Sequence, residues 1–313
     1  MKLSVIIPCH NEEENVYKMY KTCSDELKNI DYELIFVNDG SKDQTFLSIK
    51  KAYDEDNNHV KGINFSRNFG KEAAIYAGLV NSKGEYTAII DGDLQQHPKY
   101  LVTMLEYLDK NKDTDQVAMY IRKRKNEGLK SALSSKFYKM INKISDIKFK
   151  GNASDFRMFR KNVKNAVLDM SEVNRFSKGI FSWVGFNTHY MPYEVLDRKY
   201  GKSSFNMKSL FKYAIDGIVG FSVKPLAFAT YLGLITFVCA LIYLIVIVIK
   251  TLILGISVPG YASIISLILI FGGLQLLCIG ILGEYLSKTY LETKKRPIYI
   301  TKNKIGFEDE ELL

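Results

Sequence analysis

The chain has few cysteines and histidines, the residues that form disulfides and bind zinc. Its 313 residues include only 4 cysteines, 4 histidines and 1 tryptophan. The cysteines lack paired metal-binding spacing, and Cys239 and Cys278 lie in long apolar runs. This distribution disfavours a disulfide framework or a zinc site and predicts a reducing compartment. Pro8 ends the first apolar run after a few residues, so we interpret that run as a strand rather than a signal peptide.

Charge is missing from two long stretches in the last third of the sequence. Residues 225–249 and 251–283 contain no charged side chain, and only Lys250 separates them. Each stretch is long enough to cross a hydrocarbon core of roughly 30 Å, which takes about 20 apolar residues in a helix. We therefore predict two transmembrane helices within 225–285, joined by a short outside turn near 250–262.

Basic residues flank this pair of runs and are nearly absent between them. Such a distribution predicts a multi-pass membrane protein with both termini and its soluble domain in the cytoplasm. The net charge of +9 is explained either by this topology or by attraction to anionic membrane lipids and phosphates, and no nucleic acid partner is predicted. The predicted division is a cytosolic domain at 1–205, an interfacial amphipathic helix at 206–224, the two spans, and a cytosolic tail at 286–313. A core helix is the alternative for 206–224.

Short apolar runs alternate with helical patterns in the first 120 residues. This alternation is typical of βαβ units and predicts an α/β fold with a Rossmann-like, doubly wound and mainly parallel sheet. Ligands of such sheets bind beyond the carboxyl ends of the strands. The predicted strands are Leu3–Ile7, Glu33–Val37, Val60–Phe65, Tyr86–Ile90 and Val117–Tyr120.

Acidic residues follow three of these strands. Glu12 comes after the first, Asp39 after the second, and Asp91 and Asp93 after the fourth. Carboxylates at one edge of a sheet repel each other unless a cation or hydrogen-bond donors intervene. The Asp-x-Asp spacing suits Mg²⁺ or Mn²⁺ bridging to a diphosphate, although an isolated Asp-Gly-Asp is more often a cap or a turn.

The order of several motifs is more specific than any one of them. Together they resemble glycosyltransferase family 2, in the branch that glycosylates polyprenyl phosphates and includes bactoprenol glycosyltransferases and dolichol-phosphate mannose synthases. The resemblance covers nearly the whole chain and implies a GT-A type mixed sheet. The motifs are Val5–Pro8, Asn11–Glu13, Val37–Ser41, Ser66–Lys71, Asp91–Gln95, Asp155–Arg157 and Gly283–Tyr285.

The resemblance implies roles for individual residues around the donor. Asp91 and Asp93, helped by Gln95, would hold Mg²⁺ or Mn²⁺. Asp155, Asp93 and Arg157 would form the catalytic group. The residues implied in nucleotide-sugar binding are Pro8, His10, Glu12, Asp39, Lys71, Asp91, Gly92 and Asp93, with Asp39 accepting from the base.

For Asp155 the sequence leaves two readings, a catalytic-site carboxylate or a helix cap before Phe156. The implied acceptor is a lipid phosphate, and the second pKa of a phosphate monoester is about 6. Such an acceptor is already ionised near neutral pH. We therefore expect Asp155 to orient a sugar hydroxyl or the acceptor rather than to remove a proton.

Cationic residues implied in binding the lipid phosphate lie outside the acidic motifs. Arginine and lysine both bind phosphate oxygens, arginine in a planar fork and lysine as a point charge. The usual lysine of the Gly-x-Ser-Lys-Tyr pattern is Ser204 here, so Lys202 is expected to replace its charge. The implied residues are Arg122, Lys130, Ser134, Arg198, Lys202 and Ser203.

The resulting prediction is an inverting, metal-dependent glycosyltransferase that moves a sugar from a nucleotide sugar, UDP-glucose or UDP-N-acetylglucosamine, to undecaprenyl phosphate. The resemblance suggests a homo-oligomer and a separate flippase acting downstream. The rivals are a processive polysaccharide synthase and a membrane-anchored module that binds a nucleotide sugar without turnover. His97 is either a metal ligand or a solvated loop residue, and the latter is favoured.

Overall fold

The computed structural model describes residues 1–121, 150, 153–170, 172–196, 219–254 and 260–307. Within them, one sheet carries eight strands. The strands are β1 Leu3–Cys9, β2 Tyr32–Asn38, β3 Val60–Phe65, β4 Tyr86–Ile89, β5 Gln116–Ile121, β6 Ala153–Arg160, β7 Thr188–Tyr193 and β8 Thr301–Ile305. The helices are α1 Glu13–Leu27, α2 Thr45–Glu55, α3 Lys71–Asn81, α4 Lys99–Lys110, α5 Lys161–Asp169, α6 Ser177–Trp183, α7 Lys224–Leu254 and α8 Tyr261–Thr293.

The strand order is β7-β5-β6-β4-β1-β2-β3-β8. Strands β4, β1, β2 and β3 are mutually parallel. Strand β6 runs antiparallel to β4 at one side of this group, and β8 runs antiparallel to β3 at the other. All five predicted strands are present, and the mixed sheet confirms the predicted fold class. Strands β6, β7 and β8 were not predicted from the sequence, because polar and charged residues interrupt their apolar runs.

The sheet is covered on both faces, as the doubly wound pattern predicts. Val5 and Ile7 of β1 pack into one core with α1 and α4, while Ile6 between them packs into a second core with α3 and α5. Every residue of β2 is buried. Because successive side chains of a strand point to opposite faces, this continuous burial requires a helical layer on each side.

Helices α7 and α8 contain two segments that are long and apolar enough to cross a membrane, Lys224–Ile253 and Ile270–Thr293. Their large apolar side chains are mostly exposed, which suits contact with lipid. Most of the predicted interfacial helix at 206–224 lies outside the described residues. The division of the chain at these boundaries therefore stays a prediction.

Both ends of the helical pair contact the sheet domain, since Phe221, three residues before α7, packs against the second core. The Tyr285 hydroxyl donates to the carbonyl oxygen of Ser222 at 2.6 Å. Farther along α8, Glu292 Oε1 accepts the backbone N–H groups of Val173 and Asn174, at 2.9 and 3.2 Å. The chain then returns to the sheet, where β8 pairs with the edge of β3. Part of the segment assigned to a tail is thus a strand of the soluble domain.

Candidate active site

The predicted acidic residues meet at one edge of the sheet. We call this edge the rim and define it by residues 8–12, 38–41 and 91–95, which follow or end β1, β2 and β4. Parallel strands end on the same side, so Asp39 after β2 and Asp91 after β4 reach this edge on either side of β1. Strand β6 runs the other way, with Arg157 paired to Ile89. Asp91 lies two residues after Ile89, and Asp155 lies two residues before Arg157. In an antiparallel register, this brings Asp155 opposite Asp91.

Lys71 joins these two carboxylates. Its Nζ lies 2.6 Å from Asp91 Oδ1 and 2.9 Å from Asp155 Oδ2. Although burial alone would lower the pKa of Lys71, Asp155 and Asp91 outweigh it and hold that pKa well above its usual value. Lys71 is the first residue of α3, directly after Gly70 at φ +98°. The structure therefore places a lysine ammonium between Asp91 and Asp155.

Asp155 lies within β6, so the helix-cap reading is wrong. Burial opposes its ionisation, but Lys71 and then Lys178 outweigh that effect, and the pKa of Asp155 lies well below its usual range. A carboxylate with so low a pKa is a weak base. This geometry suits an electrostatic or orienting role better than proton removal. The other oxygen, Oδ1, is buried without a hydrogen-bond partner.

Arg157 lies two residues after Asp155, on the same face of β6. Its guanidinium carbon is 4.2 Å from the centre of the Phe181 ring, and Nη2 donates to the Ser154 carbonyl at 3.4 Å. The Arg157 charge makes a smaller contribution to the low pKa of Asp155. Arg157 is therefore placed to act through Asp155.

Gln96 supports Asp91, and the metal-binding role predicted for Gln95 stays a prediction. Its Nε2 donates to Asp91 Oδ2 at 3.0 Å and its Oε1 accepts the Asp91 N–H at 2.9 Å. Gln96 is buried, whereas Gln95 contributes its backbone N–H to Asp93 Oδ1 at 3.1 Å. Leu94, at φ +59°, turns the chain directly before the two glutamines. That turn directs the Gln96 side chain inward. It could not be predicted, because a leucine does not mark a position of positive φ in a sequence.

Asp91, Asp93 and Gln95 stay the predicted oxygen ligands of a metal. Within the described residues, no group of three or more histidine, cysteine, aspartate or glutamate side chains could hold an ion. Mg²⁺ commonly binds one or two carboxylates and takes its other oxygens from water and substrate phosphates. The pair of aspartates fits an ion that arrives with a diphosphate. His97 instead accepts the N–H of Lys99 at 3.1 Å, at the start of α4.

Glu72 is a half-buried carboxylate that the sequence analysis did not single out. It accepts hydrogen bonds from the Ser177 N–H at 2.9 Å and from the Ser177 hydroxyl. Burial and then the charge of Asp155 raise the pKa of Glu72 to about 7. Glu72 thus connects the first turn of α3, beside Lys71, to the first turn of α6.

Asp39 is 3% exposed, and its carboxylate holds the turn before α3. Oδ1 accepts the Phe69 N–H at 2.7 Å and Oδ2 accepts the Gly70 N–H at 2.9 Å. Burial raises the pKa of Asp39, and these two N–H groups partly oppose the rise. Its predicted hydrogen bond to a base stays a prediction, and the structure adds this role in shaping the loop.

The remaining predicted donor residues also lie on the rim. His10 Nδ1 is 2.9 Å from the Asp39 carbonyl oxygen. Glu12 accepts from the Asn15 side chain at 2.6 Å, at the start of α1. Gly92 packs against β1, where an added Cβ would lie 3.1 Å from the Pro8 carbonyl oxygen. The predicted lipid-phosphate residues lie outside the described residues: Arg122, Lys130, Ser134, Arg198, Lys202 and Ser203.

Replacing Gly40 with alanine is expected to destabilise the rim. Gly40 has φ +59°, and an added Cβ would lie 2.2 Å from the carbonyl carbon of Arg67. Because a left-handed conformation and a backbone clash both oppose a side chain, we expect the free energy of unfolding to fall by about 2–4 kcal/mol. Denaturant unfolding of the purified protein in detergent measures this change.

Gly70→Ala is the matched control for Gly40→Ala. Gly70 also has a positive φ, +98°, but nothing lies within 4 Å of its added Cβ. It carries the conformational cost without the clash, so its loss of stability should be smaller. Equal losses in the two variants would contradict the proposed importance of the contact between Gly40 and Arg67.

Two family descriptions match successive parts of the chain. "Glycosyl transferase family 2" matches residues 4–168, and "GtrB C-terminal hairpin" matches residues 224–289. The first match contains the whole rim, Lys71 and Asp155. The second contains most of α7 and α8, the two helices long enough to cross a membrane.

Two relatives are similar along nearly their whole length. The prophage bactoprenol glucosyl transferase homolog of Escherichia coli K12 is 41% identical over 308 residues, covering 96% of this chain and 99% of the relative. The bactoprenol glucosyl transferase of Shigella phage SfV is 40% identical over 309 residues, covering 97% of this chain and 99% of the relative.

A solved structure shares the fold. Glucosyl-3-phosphoglycerate synthase from Mycobacterium tuberculosis, in complex with Mn²⁺, uridine diphosphate and phosphoglyceric acid, superposes with a TM-score of 0.52. The match covers 70% of this chain and 76% of the synthase at 16% sequence identity. At that identity, the likeness speaks for the fold alone.

Proposed function

Because the chain belongs to glycosyl transferase family 2, we propose that it transfers a sugar from a UDP-linked donor to undecaprenyl phosphate. The observation that carries this proposal is the Asp91–Lys71–Asp155 cluster on the rim, in a chain that also bears two helices able to cross a membrane. The net negative charge of this cluster suits a divalent cation that arrives with a diphosphate donor. The helices would hold the same chain near a lipid acceptor.

The sugar of first choice is glucose. Two relatives at about 40% identity carry the words bactoprenol glucosyl transferase in their names. UDP-N-acetylglucosamine is the second candidate, because the rim residues recognise a nucleotide diphosphate rather than a particular sugar. Residues 149–154 directly precede Asp155 in the sequence, and Lys178 within 174–186 contributes to its low pKa, so both segments are expected to contact the sugar.

In the proposed reaction, a phosphate oxygen of the acceptor attacks the anomeric carbon of the sugar from the side opposite the leaving group. The bond to the diphosphate oxygen breaks, its electron pair leaves with UDP, and the configuration inverts. The acceptor is already ionised near neutral pH, so no base is required. Asp155 is held ionised and is placed to orient the sugar or to stabilise positive charge that develops on its ring.

Asp91 and Asp93 would hold Mg²⁺ or Mn²⁺, which supplies charge stabilisation to the diphosphate leaving group when bound. Lys71 adds a fixed positive charge beside the same carboxylates. Asp39 keeps the Phe69–Gly70 turn against the rim, and His10 lies next to its backbone. These residues would form the nucleotide side of the site.

The proposed location is the cytoplasmic face of a membrane, with both termini in the cytoplasm. Since β8 follows α8 and pairs with β3, the segments before and after the helical pair lie on the same side. This arrangement supports two spans with a short outside turn. The product would then require a separate flippase to cross the bilayer. Homo-oligomerisation stays a prediction.

A single assay tests this function. Purified full-length protein is incubated with undecaprenyl phosphate, Mg²⁺ or Mn²⁺ and a panel of radiolabelled UDP sugars, and the lipid is extracted into organic solvent. We expect label from UDP-glucose in the lipid phase.

Each other outcome identifies a different error. Release of UDP without label in the lipid phase would overturn the acceptor assignment. Label in a growing polymer would favour a processive synthase. Nucleotide binding with neither lipid product nor UDP release, for the whole donor panel, would favour a module that binds without turnover.

A further inference from the structure

Three asparagine side chains form a row across the edge of the sheet. Asn38 of β2 is paired with Asn64 of β3, and Asn64 is paired with Asn303 of β8. Asn38 Nδ2 donates to Asn64 Oδ1 at 2.8 Å, and Asn64 Nδ2 donates to Asn303 Oδ1 at 2.9 Å. We call these residues the amide row. It connects the strand that follows the membrane helices to the rim.

A backbone group determines the direction of the row. The N–H of Ser41 can only donate, and it points to Asn38 Oδ1 at 3.3 Å. The amide of Asn38 must then present its nitrogen to Asn64, which in turn presents its nitrogen to Asn303. Asn303 therefore acts as an acceptor in the row. An aspartate at 303 keeps this function, whereas a leucine removes it.

The row ends in the two loops of the rim that follow β1 and β2. Ser41 Oγ accepts the Asn11 N–H at 2.9 Å, and Asn11 Oδ1 accepts the Lys42 N–H at 3.0 Å. Asn11 has φ +57°, a conformation that these contacts help to hold. These loops carry the residues His10, Glu12 and Asp39.

The same C-terminal segment also supports the third loop of the nucleotide side. Ser66 donates its N–H to the Ile300 carbonyl at 3.0 Å, and the rings of Phe65 and Tyr299 are stacked with centroids 5.0 Å apart. The loop that follows leads to the Phe69–Gly70 turn bound by Asp39. Three loops of the proposed donor pocket thus rest on residues 299–303.

We propose that Asn303 and Asn64 are positioning residues for the donor nucleotide, so that the segment after the membrane helices completes the nucleotide pocket. The inference rests on the proposed function, since it assumes that the rim binds a UDP-linked donor. Neither residue touches the reacting atoms. Their loss should therefore weaken nucleotide binding while leaving the chemistry at saturating donor intact.

The test compares Asn303→Leu, Asn303→Asp and Lys302→Leu in the purified full-length protein. Lys302 is an exposed neighbour on the same strand, outside the amide row, and serves as the control. UDP binding is measured by calorimetry with Mg²⁺ present, beside KM and kcat for UDP-glucose. For Asn303→Leu we expect Kd and KM to rise about fivefold with kcat unchanged, a size set by the modest net value of one hydrogen bond. Asn303→Asp and Lys302→Leu should bind UDP like the parent.

The outcomes separate this inference from the proposed function. If the parent protein binds no UDP, the proposed function fails and the inference fails with it. If the parent binds UDP and Asn303→Leu binds it equally well, the inference alone is overturned. A fall in kcat, or an equal loss in Asn303→Asp, would also overturn it, because neither follows from an acceptor that positions the nucleotide loops.

Discussion

Asp155→Asn is expected to lower kcat for lipid glycosylation by about a thousandfold, the scale of losing one preorganised electrostatic group. The substitution removes the negative charge at a position where Lys71 holds it ionised, 2.9 Å away. UDP binding should change much less, because Asp39 and the rim loops are untouched. Initial rates of label extraction at saturating donor and acceptor measure the effect.

Lys71 and Asp155 should behave as one unit. We expect Lys71→Met to cause a similar loss, and the double variant to lose little more than either single variant, because both remove the same ion pair. Asp109→Asn is the matched control, since Asp109 pairs with Lys2 at 2.6 Å elsewhere in the domain. Fully additive losses in the double variant would contradict a coupled pair.

Asp93→Asn is expected to reduce transfer by a comparable factor and to raise the metal concentration needed for half-maximal activity. Two carboxylates are available to hold an ion that shares its other ligands with the diphosphate, and removing one weakens the site. The measurement is a titration of activity with Mn²⁺ and Mg²⁺ after treatment with EDTA. In the parent protein, EDTA should abolish transfer and added metal should restore it.

The comparison with Asp155→Asn makes the metal prediction specific. Asp155 lies on β6, outside the Asp91–Asp93 motif that is predicted to bind the ion, so its substitution should leave the metal requirement unchanged. Activity of the parent in EDTA, or an unchanged metal requirement in Asp93→Asn, would show that Asp93 does not bind a required ion. A raised requirement in Asp155→Asn would show that Asp155 belongs to the metal site.

Local patterns were sufficient to predict the central strands and the rim. The parallel strands β1 to β4 are buried on both faces, so they appear in the sequence as short apolar runs that end in polar residues. Parallel strands present those ends to the same edge. The meeting of Asp39 and Asp91 there followed from topology alone.

The partners of each acidic residue were not predictable in this way. Lys71 and Asp155 are 84 positions apart, and their contact depends on β6 pairing with β4 in one register. The hydrogen bonds from Gln96 to Asp91 also depend on the local backbone, which turns at Leu94 with φ +59°. Such choices depend on backbone angles and register, which have no pattern of their own in a sequence.

By itself, the sequence determined the α/β class, the two segments able to cross a membrane, the family resemblance and the edge of the sheet that carries the candidate site. These features depend on hydropathy and periodicity, which are local properties. Tertiary structure alone decided that Lys71 holds Asp91 and Asp155 together, and that the strand after α8 returns to pair with β3 beside the rim. The physical reason is that both arrangements join distant parts of the chain, and their hydrogen bonds exist only once the sheet has brought those parts into register.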